Sequence, residues 1–195
     1  MVMDAKLVMQ LRARTGAGVL DAQKALVESN GNLETAAETL RKKGQAKAAS
    51  RAERETREGM VASYIHANGK VGALVEVACE TDFVARSEEF KQLVHDLAMH
   101  VTASSPLYLS DADVPPEVLA KEKEIAGAEA IGSGKPAAVV EKIVEGKLAK
   151  YVADTCLLGQ SFIKDEDVTV AERVQQVIAK TGENIQVRRF CRFAL

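Results

Sequence analysis

Apolar residues recur at helical spacing from the start of the chain. Leu7, Val8 and Leu11 follow Asp4, whose carboxylate suits a helix N-cap, and the pattern stops at Thr15-Gly16-Ala17-Gly18, a tight turn. A second short helix is expected from Asp21 to Glu28, with Ala22, Ala25 and Leu26 on one face; Asn30 and Gly31 tolerate the left-handed dihedrals that end it. Asn32 then caps a third helix carrying Leu33, Ala36, Ala37 and Leu40 on one stripe, with Gly44 as a stop or weak point. So thin a three-helix core is only marginally stable by itself. From Gln45 to Glu58 the apolar residues other than Ala disappear, the composition of a solvated helical connector. The domain boundary is placed there, giving a three-helix module with the start of the connector over 1–54 and a core over 55–195.

The period then changes. Met60, Tyr64 and His66 alternate with Val61, Ser63 and Ile65, and beyond Asn68-Gly69 come Val71, Leu74, Val75 and Val77. This predicts a β-hairpin closed by a type I′ turn, with positive φ at both central residues. Ser87 is placed to cap a helix with Glu88 and Glu89 in its first turn and Phe90, Leu93, Val94, Leu97 and Val101 inward. Pro106, Pro115 and Pro116 mark the loop that ends it. Further helices are expected over 117–131, 137–153 and 170–180, the last stopping before Gly182, and Ile185 to Phe193 reads as a third strand. Strands spaced this unevenly among helices imply an α+β fold with an antiparallel sheet covered on one face.

Composition narrows the function. The 195 residues are 47% hydrophobic and 28% charged, within the range of a soluble globular protein of one or two small domains. A balance of 26 basic against 28 acidic residues argues against a dedicated nucleic-acid binder and favours protein partners. Lys42, Lys43, Lys47, Arg51, Arg54 and Arg57 would suit an RNA-contacting helix, but Glu53, Glu55 and Glu58 interleave with them, and a solvated face is the preferred reading. The three cysteines, Cys79, Cys156 and Cys191, are far apart and odd in number, which suits a reducing compartment. The first six residues lack the apolar stretch of a signal peptide and no run reaches the length of a membrane span, so a cytoplasmic location without membrane contact is expected.

Catalytic signatures are missing. There is no GxxxxGK phosphate loop, GxSxG elbow or HExxH, and Gly16 and Gly18 do not follow a strand as a dinucleotide fingerprint requires. His95 and His100 are five apart on one helix, poorly placed for a metal pair. Cys79 ends an apolar strand, where a buried thiol is commoner than a nucleophile. No cofactor or resident metal is expected. One segment stays without a structural reason: Cys79-Glu80-Thr81-Asp82-Phe83-Val84-Ala85-Arg86, which joins the hairpin to the Ser87 helix. Either Phe83 tucks under that helix while Asp82 caps a turn, or Phe83 stands exposed as the anchor of a binding surface.

Three ordered motifs carry a resemblance across nearly the whole chain: Leu11-Arg12 with Thr15-Gly16-Ala17-Gly18, then Thr81-Asp82-Phe83-Val84-Ala85, then Gly182-Glu183-Asn184-Ile185 with Arg188-Arg189. The sequence resembles the bacterial elongation factor Ts family. It departs at Val19-Leu20, where the family often has two methionines, an exchange of one apolar pair for another. The resemblance implies an N-terminal module similar to ubiquitin-associated domains, then a helical core with a three-stranded antiparallel sheet. It implies binding to elongation factor Tu and promotion of GDP release, with no bond broken and therefore no enzymatic chemistry.

By the same resemblance Asp82 and Phe83, with Val84 and Ala85, displace the elements holding the partner's Mg²⁺. Leu11, Arg12, Thr15, Gly16, Ala17, Gly18, Val19 and Leu20 belong to the contact of the N-terminal module with the GTPase. Longer family members carry a second related core subdomain, so a homodimer of this chain is expected, with Phe190, Cys191 and Phe193 at the interface and an inter-chain Cys191 disulfide the less favoured form. The runner-up functions are a helical adaptor for ubiquitin-like or nascent-chain partners and a small thiol enzyme using Cys79. Neither explains three motifs in order.

Overall fold

The computed structural model describes residues 4–132 and 136–195; Met1 to Met3, part of the signal-peptide reading, lie outside the described residues. Helices α1 (Ala5–Thr15), α2 (Val19–Glu28) and α3 (Leu33–Ala49) form where the apolar stripes place them. Their caps are the expected ones. The Asp4 carboxylate accepts from the Lys6 amide at 2.9 Å, and Asn32 Oδ1 accepts from the amides of Glu34 and Thr35 at 3.0 and 3.1 Å. Each satisfies amides that a helix start otherwise leaves unpaired. Val8, Leu11, Ala22, Ala25, Leu26 and Ala36 close into a small cluster of their own.

Strands β1 (Glu58–Ile65) and β2 (Val71–Cys79) make the predicted hairpin, with Ile65 opposite Gly72 and Glu58 opposite Cys79. The turn is not the type I′ expected. Of its two central residues only Gly69 has positive φ, at 67°, and its amide donates to the His66 carbonyl at 2.8 Å while Asn68 Oδ1 accepts from the Lys70 amide. Asn-Gly serves this wider four-residue loop equally well, so the dipeptide located the hairpin without settling its turn type.

The connector between hairpin and next helix contains a single helical turn, α4 (Asp82–Ala85). It is followed by α5 (Glu88–Ser104), capped by Ser87 and burying Phe90, Leu93, Val94, Leu97 and Val101 completely. Then come α6 (Pro116–Gly132) and α7 (Ala137–Thr155), which pack mainly on each other. The Thr155 carbonyl accepts from the amides of Leu107 and Tyr108 and ties that pair to the loop after α5. A small two-stranded sheet, β3 (Ser161–Phe162) and β4 (Asp165–Thr169), precedes α8 (Val170–Thr181). Sequence reading missed this sheet because two residues carry no period and Asp165-Glu166-Asp167 looks like a loop. Phe162 anchors it in the core.

Strand β5 (Ile185–Ala194) completes a three-stranded antiparallel sheet of order β1-β2-β5, with Leu74 opposite Cys191 and Gly72 opposite Phe193. Its inner face packs on α5, and Val75, Val77, Phe90, Leu97, Val174, Val177 and Val187 share one core. Gly44 does not stop α3. That helix runs on to Ala49 because it lies along α8, where Gly44 faces the Ala179 methyl and Ala48 joins the main core. The expected helical connector therefore ends early: turns begin at Ser50, and residues 55–57 are neither helix nor strand.

Candidate partner-binding site

Four residues are far too few to hold a helix by hydrogen bonding alone, so α4 depends on what surrounds it. Thr81 caps it, with its hydroxyl oxygen accepting from the Val84 amide at 3.4 Å. Val84 and Ala85 are buried under the turn. Asp82 and Phe83 point outward instead: the Phe83 ring is 82% exposed, and Asp82 pairs with Arg86 at 3.0 Å on the surface. Phe83 is therefore exposed and does not tuck under α5. The motif thus divides into an outward pair and an inward pair.

The far side of the turn is held by the loop between α8 and β5. Glu183 accepts from the Thr81 amide at 3.0 Å with one carboxylate oxygen and from the Thr81 hydroxyl at 2.6 Å with the other. Beside it the Asn184 amide donates to Glu80 at 2.6 Å, and the Asn184 side chain donates to the carbonyls of Ala52 and Arg54. Sequence reasoning assigned none of these roles, because the partners are about a hundred positions apart in the chain and no periodicity relates them.

In the N-terminal module Leu11 is fully buried, so its contribution is to hold the turn rather than to stand on the surface. Gly16 ends α1 at φ 68°, and the Thr15 hydroxyl donates to the Leu11 carbonyl at 2.7 Å while accepting from the Ala17 amide. Arg12 Nε donates to the Ala17 carbonyl at 3.2 Å. Gly18 opens α2, and Val19 and Leu20 are exposed on its first turn, Leu20 at 71%. A groove of about 1090 Å³ runs from this turn past α3 to α8, lined by Arg12, Thr15, Gly16, Ala17, Gly18 and Gln176 among others.

On the sheet, strand alternation separates the three residues named for an interface. Phe190 is half-buried against the core, whereas Cys191 and Phe193 are exposed on the open face with Val61, Ile65 and Leu74. The basic residues of α3 and the segment after it are largely paired: Lys42 with Glu38, Lys43 with Glu28, Lys47 with Asp21, Arg54 with Glu80 and Arg57 with Glu55.

Burial, helped by the Glu183 charge, pushes the Cys79 thiol up to about 11, away from the thiolate a nucleophile needs. Burial also raises the Cys156 thiol. His95 and His100 do not converge: His95 lies edge-on to Tyr64, whereas His100 is buried, bonded to Gln160 at 2.9 Å and accepting from the Ile163 amide. Among the described residues no group of three or more His, Cys, Asp or Glu side chains is placed to hold a metal ion, and no helix is long and apolar enough to cross a membrane.

Fold and site together define an α+β protein that presents an aromatic side chain on a braced surface turn. Residues 5–177 match the family model described as elongation factor TS. The chain is similar to elongation factor Ts of Moorella thermoacetica, 57% identical over 95% of this chain and 92% of that protein. It is 53% identical to that of Fervidobacterium nodosum over 100% of this chain and 99% of the relative, and 54% identical to that of Thermosipho melanesiensis over the same shares. The chain belongs to the elongation factor Ts family. Its role is that of a translation elongation factor.

Proposed function

We propose that this chain is a guanine-nucleotide exchange factor that binds GDP-bound elongation factor Tu and releases GDP by wedging Phe83 beside the partner's Mg²⁺ site. The observation that carries this reading is a large aromatic ring exposed on a turn whose neighbours, Val84 and Ala85, are buried and whose cap is bonded on both sides. An exposed aromatic on a braced turn is the type of residue that concentrates binding energy, because it brings a large apolar area to the partner with few rotatable bonds to fix. Mg²⁺ offsets clustered phosphate charge, so shifting the elements that support it weakens nucleotide binding. Asp82 accompanies the ring as a charged neighbour. Docking rests on the Gly16–Leu20 turn, where Val19 and Leu20 supply exposed apolar area. The chain breaks no bond and acts in the cytoplasm without nucleic acid.

A second copy covers the open sheet face. Val61, Ile65, Leu74 and Phe193 expose apolar surface together, and such a contiguous patch marks an interaction site. Cys191 lies among them as a thiol and needs no disulfide to contribute.

Release of a fluorescent GDP analogue from elongation factor Tu, with Mg²⁺ present, tests the exchange function. The chain accelerates release, and excess GDP dissociates the complex, since a factor that weakens GDP binding must be weakened equally by GDP. A release rate equal to that in buffer at every concentration would overturn the proposal.

A further inference from the structure

We infer that Glu183 is a positioning residue for the Phe83 wedge, acting through Thr81; the inference rests on the exchange function just proposed. Its carboxylate reaches from the α8–β5 loop to the start of α4 and accepts two hydrogen bonds from one residue, at 3.0 Å from the Thr81 amide and 2.6 Å from the Thr81 hydroxyl. Charge-assisted bonds of this kind are the stronger class. The second one fixes the hydroxyl rotor. With its proton committed to Glu183, the Thr81 oxygen keeps a lone pair for the Val84 amide, so the cap on α4 and the bond to Glu183 form a single relay. Among the described residues no ion pair involves Glu183, so its charge is committed to this turn.

A four-residue helix has no stability of its own, and Phe83, being 82% exposed, gains no orientation from packing. Its direction is therefore set by the backbone of the turn, which Thr81 caps on one side and burial of Val84 and Ala85 holds on the other. Asn184 braces the same junction by bonding Glu80 and the carbonyls of Ala52 and Arg54, which keeps Glu80-Thr81 in register with the chain leaving the N-terminal module. This assigns a physical role to Gly182-Glu183-Asn184, a motif that bonds the base of the Phe83 turn rather than Asp82 or Phe83 themselves. Without Glu183 the turn samples other arrangements, and only the fraction with the ring correctly directed is competent.

The test measures GDP release from elongation factor Tu over a concentration series for the native chain, Glu183→Ala, Glu183→Gln, Phe83→Ala and the double variant Glu183→Ala/Phe83→Ala. Docking through the N-terminal turn is untouched, so Glu183→Ala lowers the rate at saturation by roughly tenfold while moving the half-saturating concentration far less. Glu183→Gln keeps one acceptor and falls between the native chain and Glu183→Ala; it also serves as the readout if the alanine variant does not fold. Because Glu183 acts through the ring, the double variant is no slower than Phe83→Ala alone. A native saturating rate in both Glu183 variants, or losses that multiply in full in the double variant, overturns the inference. If the native chain itself does not accelerate release, the exchange function has failed instead, and the two failures are distinct.

Discussion

Phe83 carries a large apolar area into water with no benefit to folding, while the residues on either side of its turn behave normally. The single-residue accounts of His100 and Cys79 run the other way, since both are explained by the core. His100 Nδ1 accepts from the Ile163 amide, so the proton sits on Nε2 and is donated to the Gln160 carbonyl oxygen at 2.9 Å. Burial lowers the pKa of this ring, with the Gln160 bond opposing the shift in part. A group whose folded pKa is depressed contributes stability above its unfolded value, near 6.5, and that contribution is lost as pH falls through the folded pKa. Urea unfolding at about pH 7.5 and about pH 5 should therefore show a lower midpoint at the acid value, with the part due to this ring absent in His100→Gln. An identical pH response in the variant would assign the loss to other groups.

At the scale of elements, the long periodic segments were legible and the short ones were not. The stripe Phe90, Leu93, Val94, Leu97 and Val101 predicted α5 and its buried face, and the caps Asp4, Asn32 and Ser87 marked real helix starts. The turn α4 and the strands β3 and β4 had no period to read, being held by contacts distant in sequence such as Lys164 with Asp96 and Thr81 with Glu183. Gly44 shows tertiary packing overriding propensity, since contact with α8 outweighs the roughly 1 kcal/mol that glycine costs in a helix. In the candidate site, the exposure of Phe83 was one of two open readings, whereas the bracing by Glu183 and Asn184 had no sequence signal beyond motif order. Strand β5 supplies a prediction of its own. If its open face pairs with a second copy, light scattering gives about twice the 21.0 kDa of one chain, and Phe193→Asp returns it to one. A mass of 21.0 kDa for the unaltered chain would remove the dimer.

For the whole molecule, the arrangement links two surfaces through one frame. The helix α3 lies along α8, α8 leads into the loop that braces α4, and Asn184 bonds the chain emerging from α3. The N-terminal turn and the Phe83 turn are thus carried on connected elements, which suits a protein that must dock at one place and displace at another. In the proposed exchange function the ring acts as a wedge rather than as one contact among many. The decisive measurement is the rate of fluorescent GDP release from elongation factor Tu, with Mg²⁺ present, at saturating native chain and at saturating Phe83→Ala. Exposed as it is, the ring can be removed with a stability change within about 0.5 kcal/mol, so both proteins are folded in the comparison. The account predicts that Phe83→Ala still binds the partner but loses most of the acceleration; a variant that releases GDP as fast as the native chain would contradict it.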